Sequence, residues 1–275
     1  MAAKSLKDDA AIENLQDIGH PDDHDYVVGS PHLIHRQLNE WMVNTIRAEV
    51  IDILETKGRA RVLEIGAGHG TFTDHALAAG AEVTLTEMSR ASAGLLQRRY
   101  AHNPAARVIF DPAGNSDLIA AQRFDLVLCI SVLHHIPDYL DAIGKWVSLI
   151  DAGGSFVSFQ DPLWYPRQSR LNLAADRGAY YLWRLGRGDR IAGIKSIVRR
   201  KLGHMDTRNP RDMVEYHVLR QGCDEQAIAQ QLSTSFATVD VLPYWSAVSR
   251  VAQRAGNALG LTSTFGVVAQ GRRLS

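Results

Sequence analysis

The chain has 275 residues, 45% of them apolar, which is enough for one large domain with a substantial core. Lys plus Arg and Asp plus Glu number 30 each, so the overall charge excludes a general attraction to nucleic acid or membranes. Two cysteines exclude a disulfide framework, and no apolar run reaches the roughly 18 residues of a membrane span, so we expect a cytoplasmic protein.

The N-terminal region is polar up to about residue 35. Residues 1–19 lack the apolar segment of a secretory signal. Residues 20–35 are dense in His and Asp but lack the fixed ligand spacing of a zinc site, so no metal is expected and a solvated loop is one interpretation. Apolar residues then recur at helical spacing from Leu38 to Leu54, which predicts an amphipathic helix that ends at Gly58.

A buried strand that turns into a helix is predicted at residues 61–71. Its apolar run ends in three glycines within five residues, Gly66, Gly68 and Gly70. Glycine permits positive φ and lets a ligand approach the backbone beside a helix N-terminus. A phosphate loop would need Lys and Ser or Thr after the last glycine, and a dinucleotide fingerprint would need a glycine where Thr71 stands. The loop therefore indicates another kind of ligand.

Strands and helices alternate after this loop, which predicts parallel βαβ units. The predicted helices are Thr71–Ala79, Ala91–Tyr100, Tyr139–Ile150, Leu171–Leu185 and Gln226–Leu232. The further predicted strands are Glu82–Thr86, Arg107–Asp111, Phe124–Ser131, Ser155–Phe159, Ala237–Leu242 and Thr264–Gln270, with a turn at Asp151–Gly154. The strand that begins at Phe124 is apolar almost throughout, which is typical of a central strand buried on both faces.

Four features together resemble the class I S-adenosylmethionine (SAM) methyltransferase family. They are Glu64 within the glycine motif, the Gly-x-Gly-x-Gly spacing, Glu87 at the end of the next apolar run, and the Leu-His-His-Ile phrase at residues 133–136. The resemblance implies an α/β fold: a seven-stranded Rossmann-like sheet with strand seven antiparallel, an N-terminal helical lid, and a helical cap inserted after strand five. The implied divisions are 1–57 for the lid and first helix, 58–163 for the SAM-binding core, 164–222 for the cap and 223–275 for the rest of the sheet.

The same resemblance implies SAM as the cofactor. Glu87 follows Gly70 by 17 residues, near the distance at which dinucleotide folds place the acid that accepts from a ribose diol. Asp111 is expected either to accept from the adenine amine or to be a turn residue before Pro112. Tyr26 would contact SAM from the lid. The expected cofactor-binding residues are Tyr26, Glu64, Gly66, Ala67, Gly68, Gly70, Glu87, Met88, Asp111 and Ser131.

Two histidines are candidates for a general base. His134 and His135 follow the fourth strand, at the edge where open α/β sheets hold their ligands. An imidazole with an ordinary pKa near 6.5 can take a proton from a hydroxyl at neutral pH. We favour His135, because His134 continues the packing phase of the strand, although both histidines could instead only pack or cap a helix. Asp161, after strand five, is a reserve base, an orienting carboxylate or a partial metal ligand.

The segment after strand five carries a local excess of positive charge. Residues 165–211 contain twelve Lys or Arg and three Asp. As a cap, this segment would suit an anionic acceptor, or contact a membrane or lipid surface through residues 184–208. A solvated basic face is the alternative.

The sequence favours a methyltransferase that acts on a small or amphiphilic acceptor, with an oxygen of a natural product, sugar or glycolipid preferred. A nucleic-acid methyltransferase would use the basic segment, but few aromatic residues interleave its charges, so no nucleic acid is expected. A SAM-binding protein that catalyses another reaction is a further alternative. The acceptor atom, oxygen, carbon or nitrogen, and the oligomeric state stay open.

Overall fold

A computed structural model describes residues 30–112, 114, 117–186 and 221–274. Several predictions from the sequence lie outside these residues. They are the lid up to residue 29 with its contact at Tyr26, the part of the cap at 187–220, and with it most of the proposed lipid-contact segment 184–208.

The helices and strands alternate along the chain much as the sequence pattern predicts. The helices are α1 (Pro31–Ile34), α2 (Arg36–Lys57), α3 (Thr71–Ala78), α4 (Arg90–Arg99), α5 (Tyr139–Ser148), α6 (Arg170–Gly186), α7 (Glu225–Ser233) and α8 (Arg250–Ala258). The strands are β1 (Arg61–Ile65), β2 (Glu82–Glu87), β3 (Ala106–Phe110), β4 (Phe124–Ile130), β5 (Ile150–Pro162), β6 (Phe236–Tyr244) and β7 (Thr264–Arg272). Among the described residues, none of these helices combines the length and apolarity needed to cross a bilayer.

The strands form one seven-stranded sheet in the order β3-β2-β1-β4-β5-β7-β6. Strands β1 to β5 are parallel, and β7 is antiparallel to both of its neighbours, β5 and β6. This confirms the predicted seven-stranded sheet with its antiparallel strand seven. Because β1 and β4 are central neighbours, their carboxyl ends meet at the middle of one edge, where α/β sheets hold ligands.

Helices cover both faces of the sheet. Alternating side chains of the central strands point to opposite faces, as the pleat requires: Val62 belongs to one apolar cluster and Leu63 to the other. The first cluster also holds residues of α2, α3 and α4, and the second holds residues of α5 and α7. Every residue of β4 is buried, which explains its nearly continuous apolar sequence.

One local prediction was wrong, and one helix was not predicted. The expected turn at Asp151–Gly154 is part of β5, where the pairing with β4 shifts register, so extra residues bulge within a longer strand. Helix α8 was not predicted, and its apolar face packs against Trp245 and the loop before it. Its Gly256 is required by that packing, since a Cβ would lie 2.2 Å from the Trp245 indole nitrogen.

The two ends of the predicted cap lie side by side. Leu163 and Cys223 form an isolated parallel bridge, and the Tyr165 amide donates to the Gln221 carbonyl at 2.7 Å. Arg167 adds ion pairs to Asp224 and to its neighbour Glu225. We call these contacts the neck. The chain therefore leaves the sheet after β5 and returns to it at one point.

Candidate active site

The glycine loop turns sharply between β1 and α3. Gly66, Gly68 and Gly70 all have positive φ, at 65°, 57° and 80°. A Cβ on Gly66 would lie 2.9 Å from Val132, and one on Gly70 would lie 2.5 Å from the Tyr100 hydroxyl. Two of the three glycines are therefore required by packing within the protein as well as by backbone conformation.

Glu87 ties the loop to the end of β2. Its carboxylate accepts hydrogen bonds from the Gly68 amide at 2.9 Å and the Ser89 amide at 3.0 Å. Each carboxylate oxygen has more than one acceptor direction, so a carboxylate in this position is chemically suited to accept from ribose hydroxyls as well. Two further amides of the loop donate to β2, since Gly66 and Ala67 both donate to the Thr86 carbonyl, and the Gly70 amide donates within the loop to the Ala67 carbonyl.

Asp111 lies beside Glu87, just past the end of β3. Its amide donates to the Glu87 carbonyl at 2.9 Å, and its own carboxylate accepts from the Gly114 amide at 3.1 Å. Met88 packs over this turn, since its sulfur lies 2.8 Å from where a Cβ of Gly114 would be. Thus the structure brings Glu87, Met88 and Asp111 together, and Asp111 also serves the turn that the sequence offered as its other role.

Glu64 is placed differently from Glu87. It lies within β1, fully buried, and its carboxyl accepts from the Thr73 hydroxyl at 2.5 Å in the first turn of α3. Burial raises the pKa of Glu64 to about 8, against the smaller lowering effect of the Thr73 hydrogen bond. This side chain anchors the loop to the helix behind it.

Strands β4 and β5 end in strained backbone. Ser131, directly after β4, has φ 62°, and its amide donates to the Phe159 carbonyl at 2.8 Å. Gln160 has φ 69°, and its amide donates to the Tyr244 hydroxyl at 2.8 Å. The pairing of β5 with β7 shifts register between Ser158 and Asp161, at this same place. Such backbone irregularities change the direction in which the following side chains point.

The re-aimed side chain is Asp161, which meets His134. Asp161 is completely buried, and its Oδ1 lies 2.8 Å from His134 Nδ1 and accepts from the His134 amide at 3.1 Å. A carboxylate acceptor at this contact assigns the proton of His134 to Nδ1, which makes Nε2 the basic nitrogen of the ring. The His135 ring contacts the His134 ring in a tilted arrangement, with ring centroids 4.0 Å apart.

One residue of this site was not singled out by the sequence. His32, in α1, is buried at 7% exposure, and its ring stacks on Phe72 in the first turn of α3 at 5.9 Å. Burial and the neighbouring His134 lower the pKa of His32 to about 4. Its place among the many His and Asp residues of 20–35 carried no signal that would distinguish it.

The acceptor groups suit a cationic ligand that carries hydroxyls. Glu87 and Asp111 are buried acidic residues beside the loop, and as carboxylates they would together repel a phosphate. Glu87 and Asp111 also present carboxylates at neighbouring strand ends, which fits hydroxyl and amine donors along an extended ligand. These residues therefore fit the cofactor that the sequence resemblance implies.

Comparison with known proteins agrees with this geometry. Residues 63–156 match a family described as "Methyltransferase domain". A ubiquinone biosynthesis O-methyltransferase of Aromatoleum aromaticum is 30% identical over 145 residues, 52% of this chain and 60% of that protein. The protein of the same name from Thiobacillus denitrificans is 26% identical over the same length. The chain thus spans less than two thirds of the curated relatives it matches.

Two solved structures share the fold along nearly the whole chain. The N-methyltransferase NodS from Bradyrhizobium japonicum, in complex with S-adenosylhomocysteine (SAH), superposes with a TM-score of 0.52 at 14% identity, covering 96% of this chain and 99% of that one. The 1,6-didemethyltoxoflavin-N1-methyltransferase of Burkholderia thailandensis, with its substrate and SAH, gives 0.52 at 17% identity, covering 99% and 93%. At these identities the likeness concerns the fold alone.

Proposed function

We propose that this chain, whose residues 63–156 match a methyltransferase domain, transfers a methyl group from SAM to a hydroxyl oxygen of a small or amphiphilic acceptor. A natural product, sugar or glycolipid is the acceptor class we favour. The observation that carries the proposal is the contact between His134 and buried Asp161 at the carboxyl ends of β4 and β5. This pair provides a base at the edge of the sheet where the resemblance to SAM methyltransferases implies that the methyl group is transferred.

Glu87 and Asp111 are the proposed partners of the ribose and adenine of the cofactor. Both lie at the ends of neighbouring strands, and Glu87 is held in place by two backbone amides. Gly66, Ala67, Gly68, Gly70, Met88 and Ser131 complete the proposed lining. The bound cofactor supplies an electrophilic methyl group on a sulfonium, and the protein supplies its orientation.

His134 is the proposed general base, in place of His135. Asp161 holds the imidazole through Nδ1, so Nε2 can accept the hydroxyl proton as the oxygen attacks. Asp161 also stabilises the imidazolium that forms, because its negative charge lies in a site with no solvent exposure. His135 contacts His134 ring to ring and is the proposed positioning residue.

This arrangement favours oxygen over nitrogen as the nucleophile. A neutral amine has a lone pair available for attack and can lose its proton afterwards, whereas a hydroxyl needs its proton removed as the bond forms. A buried Asp-His pair is suited to that second task. The curated relatives named above are O-methyltransferases, which supports the same choice.

Residues 164–222 are the proposed cap over the acceptor. The neck joins both ends of this segment beside Leu163, two residues after Asp161. The described ends of this segment lie beside the carboxyl edge of the sheet, which supports the proposal. Helix α6, its first helix, contacts the chain near α8 through Asn172, whose amide donates to the Thr262 hydroxyl at 3.1 Å.

Calorimetry and mass spectrometry test the proposal. The wild-type protein should bind SAH, and with SAM and a panel of phenols, sugars and glycolipids it should produce one acceptor that is heavier by a methylene. Replacing His134 by Ala should lower kcat about 10²- to 10⁴-fold while SAH affinity stays nearly unchanged. Asp161→Asn should also lower kcat, because an amide can stabilise the wrong tautomer.

His135→Ala is the matched control, since it removes the neighbouring imidazole without touching Asp161. It should retain much more turnover than His134→Ala. Near-normal turnover in both His134→Ala and Asp161→Asn would contradict base catalysis by this pair. Absence of SAH binding by the wild-type protein would contradict the cofactor assignment itself.

A further inference from the structure

His32 has a buried ring nitrogen that no protein group satisfies. Its Nδ1 has no hydrogen-bond partner, one of only four such buried side-chain atoms in the part of the chain that the structure describes. Leaving a buried donor or acceptor unpaired destabilises a protein, so such an atom calls for an explanation. A ligand that hydrogen-bonds Nδ1 would provide one.

The surroundings of His32 place it at the centre of the candidate site. On one side its ring stacks on Phe72, two residues after Gly70, at an interplanar angle of 23°. His134 is also close enough for a positive charge on its ring to disfavour protonation of His32. His32 therefore lies near both the start of α3 and the residues that follow β4.

The segment that carries His32 is anchored. His35 Nε2 contacts the Ala247 carbonyl at 2.7 Å, and α2 follows immediately with its buried face on the sheet. Because burial keeps the His32 ring neutral at physiological pH, its two nitrogens offer one donor and one acceptor. A neutral ring can thus bind either an ammonium or a carboxylate, with the tautomer adapting to the partner.

The extended shape of the cofactor indicates which part would reach His32. Glu87 and Asp111, at the ends of β2 and β3, are the proposed partners of the ribose and adenine. The molecule must then run across the end of β1 towards His134, which takes the acceptor proton in the proposed mechanism. Its amino-acid end, with an α-ammonium and an α-carboxylate, would lie beside the start of α3. Buried charged groups require hydrogen-bond partners.

We propose that His32 Nδ1 hydrogen-bonds the amino-acid end of the bound cofactor. The inference rests on the proposed function, because it presupposes SAM binding. It adds a binding residue from the segment before α2, outside the glycine loop and the strand ends. The Phe72 contact sets the ring plane, and the buried nitrogen gives the ligand group a hydrogen-bond partner shielded from water.

Calorimetry with two ligands tests this role. SAH carries the amino-acid end, whereas 5′-methylthioadenosine keeps the adenosine and the sulfur but lacks it. His32→Phe retains a ring for stacking on Phe72 and removes both nitrogens. We expect it to weaken SAH binding about 10- to 100-fold and to leave methylthioadenosine affinity unchanged.

Two further variants separate hydrogen bonding from packing. His32→Asn places a side-chain amide near the position of Nδ1 and should keep SAH affinity within a few-fold of wild type. His102→Phe, on an exposed turn, is the control for loss of a histidine. In the wild-type protein, addition of SAH should also shift the nitrogen resonance of His32 Nδ1, a readout that needs no variant to fold.

Three results would overturn the inference. They are unchanged SAH affinity in His32→Phe, an equal loss for SAH and methylthioadenosine, and a His32 resonance that does not respond to SAH. If the wild-type protein binds methylthioadenosine and SAH but turns over no acceptor, the proposed function fails while His32 keeps its binding role. If it binds neither, both proposals fail together.

Discussion

At the scale of single residues, neighbouring side chains in this site have different surroundings. His134 contacts buried Asp161, while His135 contacts the His134 ring. The two acidic residues of the sequence motifs differ in the same way. Glu87 accepts from the backbone amides of Gly68 and Ser89, whereas Glu64 lies inside the core and accepts from the Thr73 hydroxyl. Residue type predicts a possible chemistry, and the local surroundings decide which chemistry is available.

Glu64 should make stability depend on pH. Its pKa is about 8 in the folded protein, raised mainly by burial, against an ordinary value of 4.5. Between these values the folded state binds one more proton than the unfolded state, so the free energy of unfolding falls as pH rises. Glu64→Gln has no proton to lose. Urea denaturation across this range should therefore show the variant gaining stability relative to wild type with rising pH.

The difference between the two curves is the informative quantity, because other titrating groups are shared by both proteins. It should level off above about pH 8, where Glu64 is ionised in the folded state as well. If the free energies of unfolding of the two proteins change in parallel across the whole pH range, Glu64 is already ionised in the folded protein.

At the scale of elements, β5 does the most to shape the site. Its bulge near Asp151–Gly154 lengthens the strand, and its irregularity at Gln160 turns Asp161 towards His134. The tyrosine of β6, Tyr244, holds Gln160 in place through the β5 backbone. The neck then closes directly after β5. Strand β5, together with its contact to Tyr244, therefore sets the position of the His134–Asp161 pair and the start of the proposed cap.

The neck should be intolerant of added atoms at Gly222. This residue has φ +82°, and a Cβ would lie 2.2 Å from the Leu163 carbonyl oxygen. Gly260 also has positive φ, +63°, but nothing within 4 Å of its Cβ position, so it is a matched control. Gly260→Ala should cost about 1–2 kcal/mol from backbone strain alone. Gly222→Ala should cost about 1–3 kcal/mol more, measured by chemical denaturation. Equal losses of unfolding free energy in the two variants would show that the neck contacts rearrange to accept the added methyl group.

At the scale of the whole molecule, the two edges of the sheet have different roles. The carboxyl edge holds the candidate site, and the amino edge holds an ion-pair network. Asp125, at the start of β4, is buried and lies 3.0 Å from both the Lys57 ammonium and the Arg61 Nε. Arg61 also pairs with Asp151 at 2.6 Å. This network joins α2, β1, β4 and β5 on the side away from the ligand.

Replacing Asp125 by Asn should therefore lower the free energy of unfolding without changing the affinity for SAH. Breaking a buried charge pair should cost about 3 kcal/mol, whereas SAH affinity should stay unchanged. Burial raises the pKa of Asp125, but hydrogen bonds from Arg61 and Lys57 outweigh it, and the net pKa is lowered. Its contribution to stability is thus present at neutral pH and lost as pH falls through that lowered pKa.

The control is Asp141→Asn, which removes an exposed ion pair to Lys145 on α5. That change should cost less than about 0.5 kcal/mol, because exposed helical pairs contribute little. Denaturation midpoints and SAH calorimetry on both variants check the prediction. A marked loss of SAH affinity in Asp125→Asn would show that the two edges are coupled.

The sequence by itself determined most of the sheet. Short apolar runs at regular spacing predicted all seven strands, and the run of β4 is nearly continuous because a buried parallel strand needs apolar residues on both faces. The glycine loop and the acids at strand ends could also be located, since each depends on a few consecutive residues. Helix α8 was not predicted. Its Gly256 is explained by close packing against Trp245, a contact that the sequence of the helix does not reveal.

Only the tertiary structure decided which side chains meet in the site. His134 and Asp161 are 27 residues apart, and their contact depends on the irregular backbone at Gln160. His32 and Phe72 come together only because α1 and α2 fold back across the sheet. The pattern of apolar and polar residues in one segment indicates which of its side chains face solvent and which face the core. Contacts between distant segments depend on bulges, register and helix packing, which no single segment encodes.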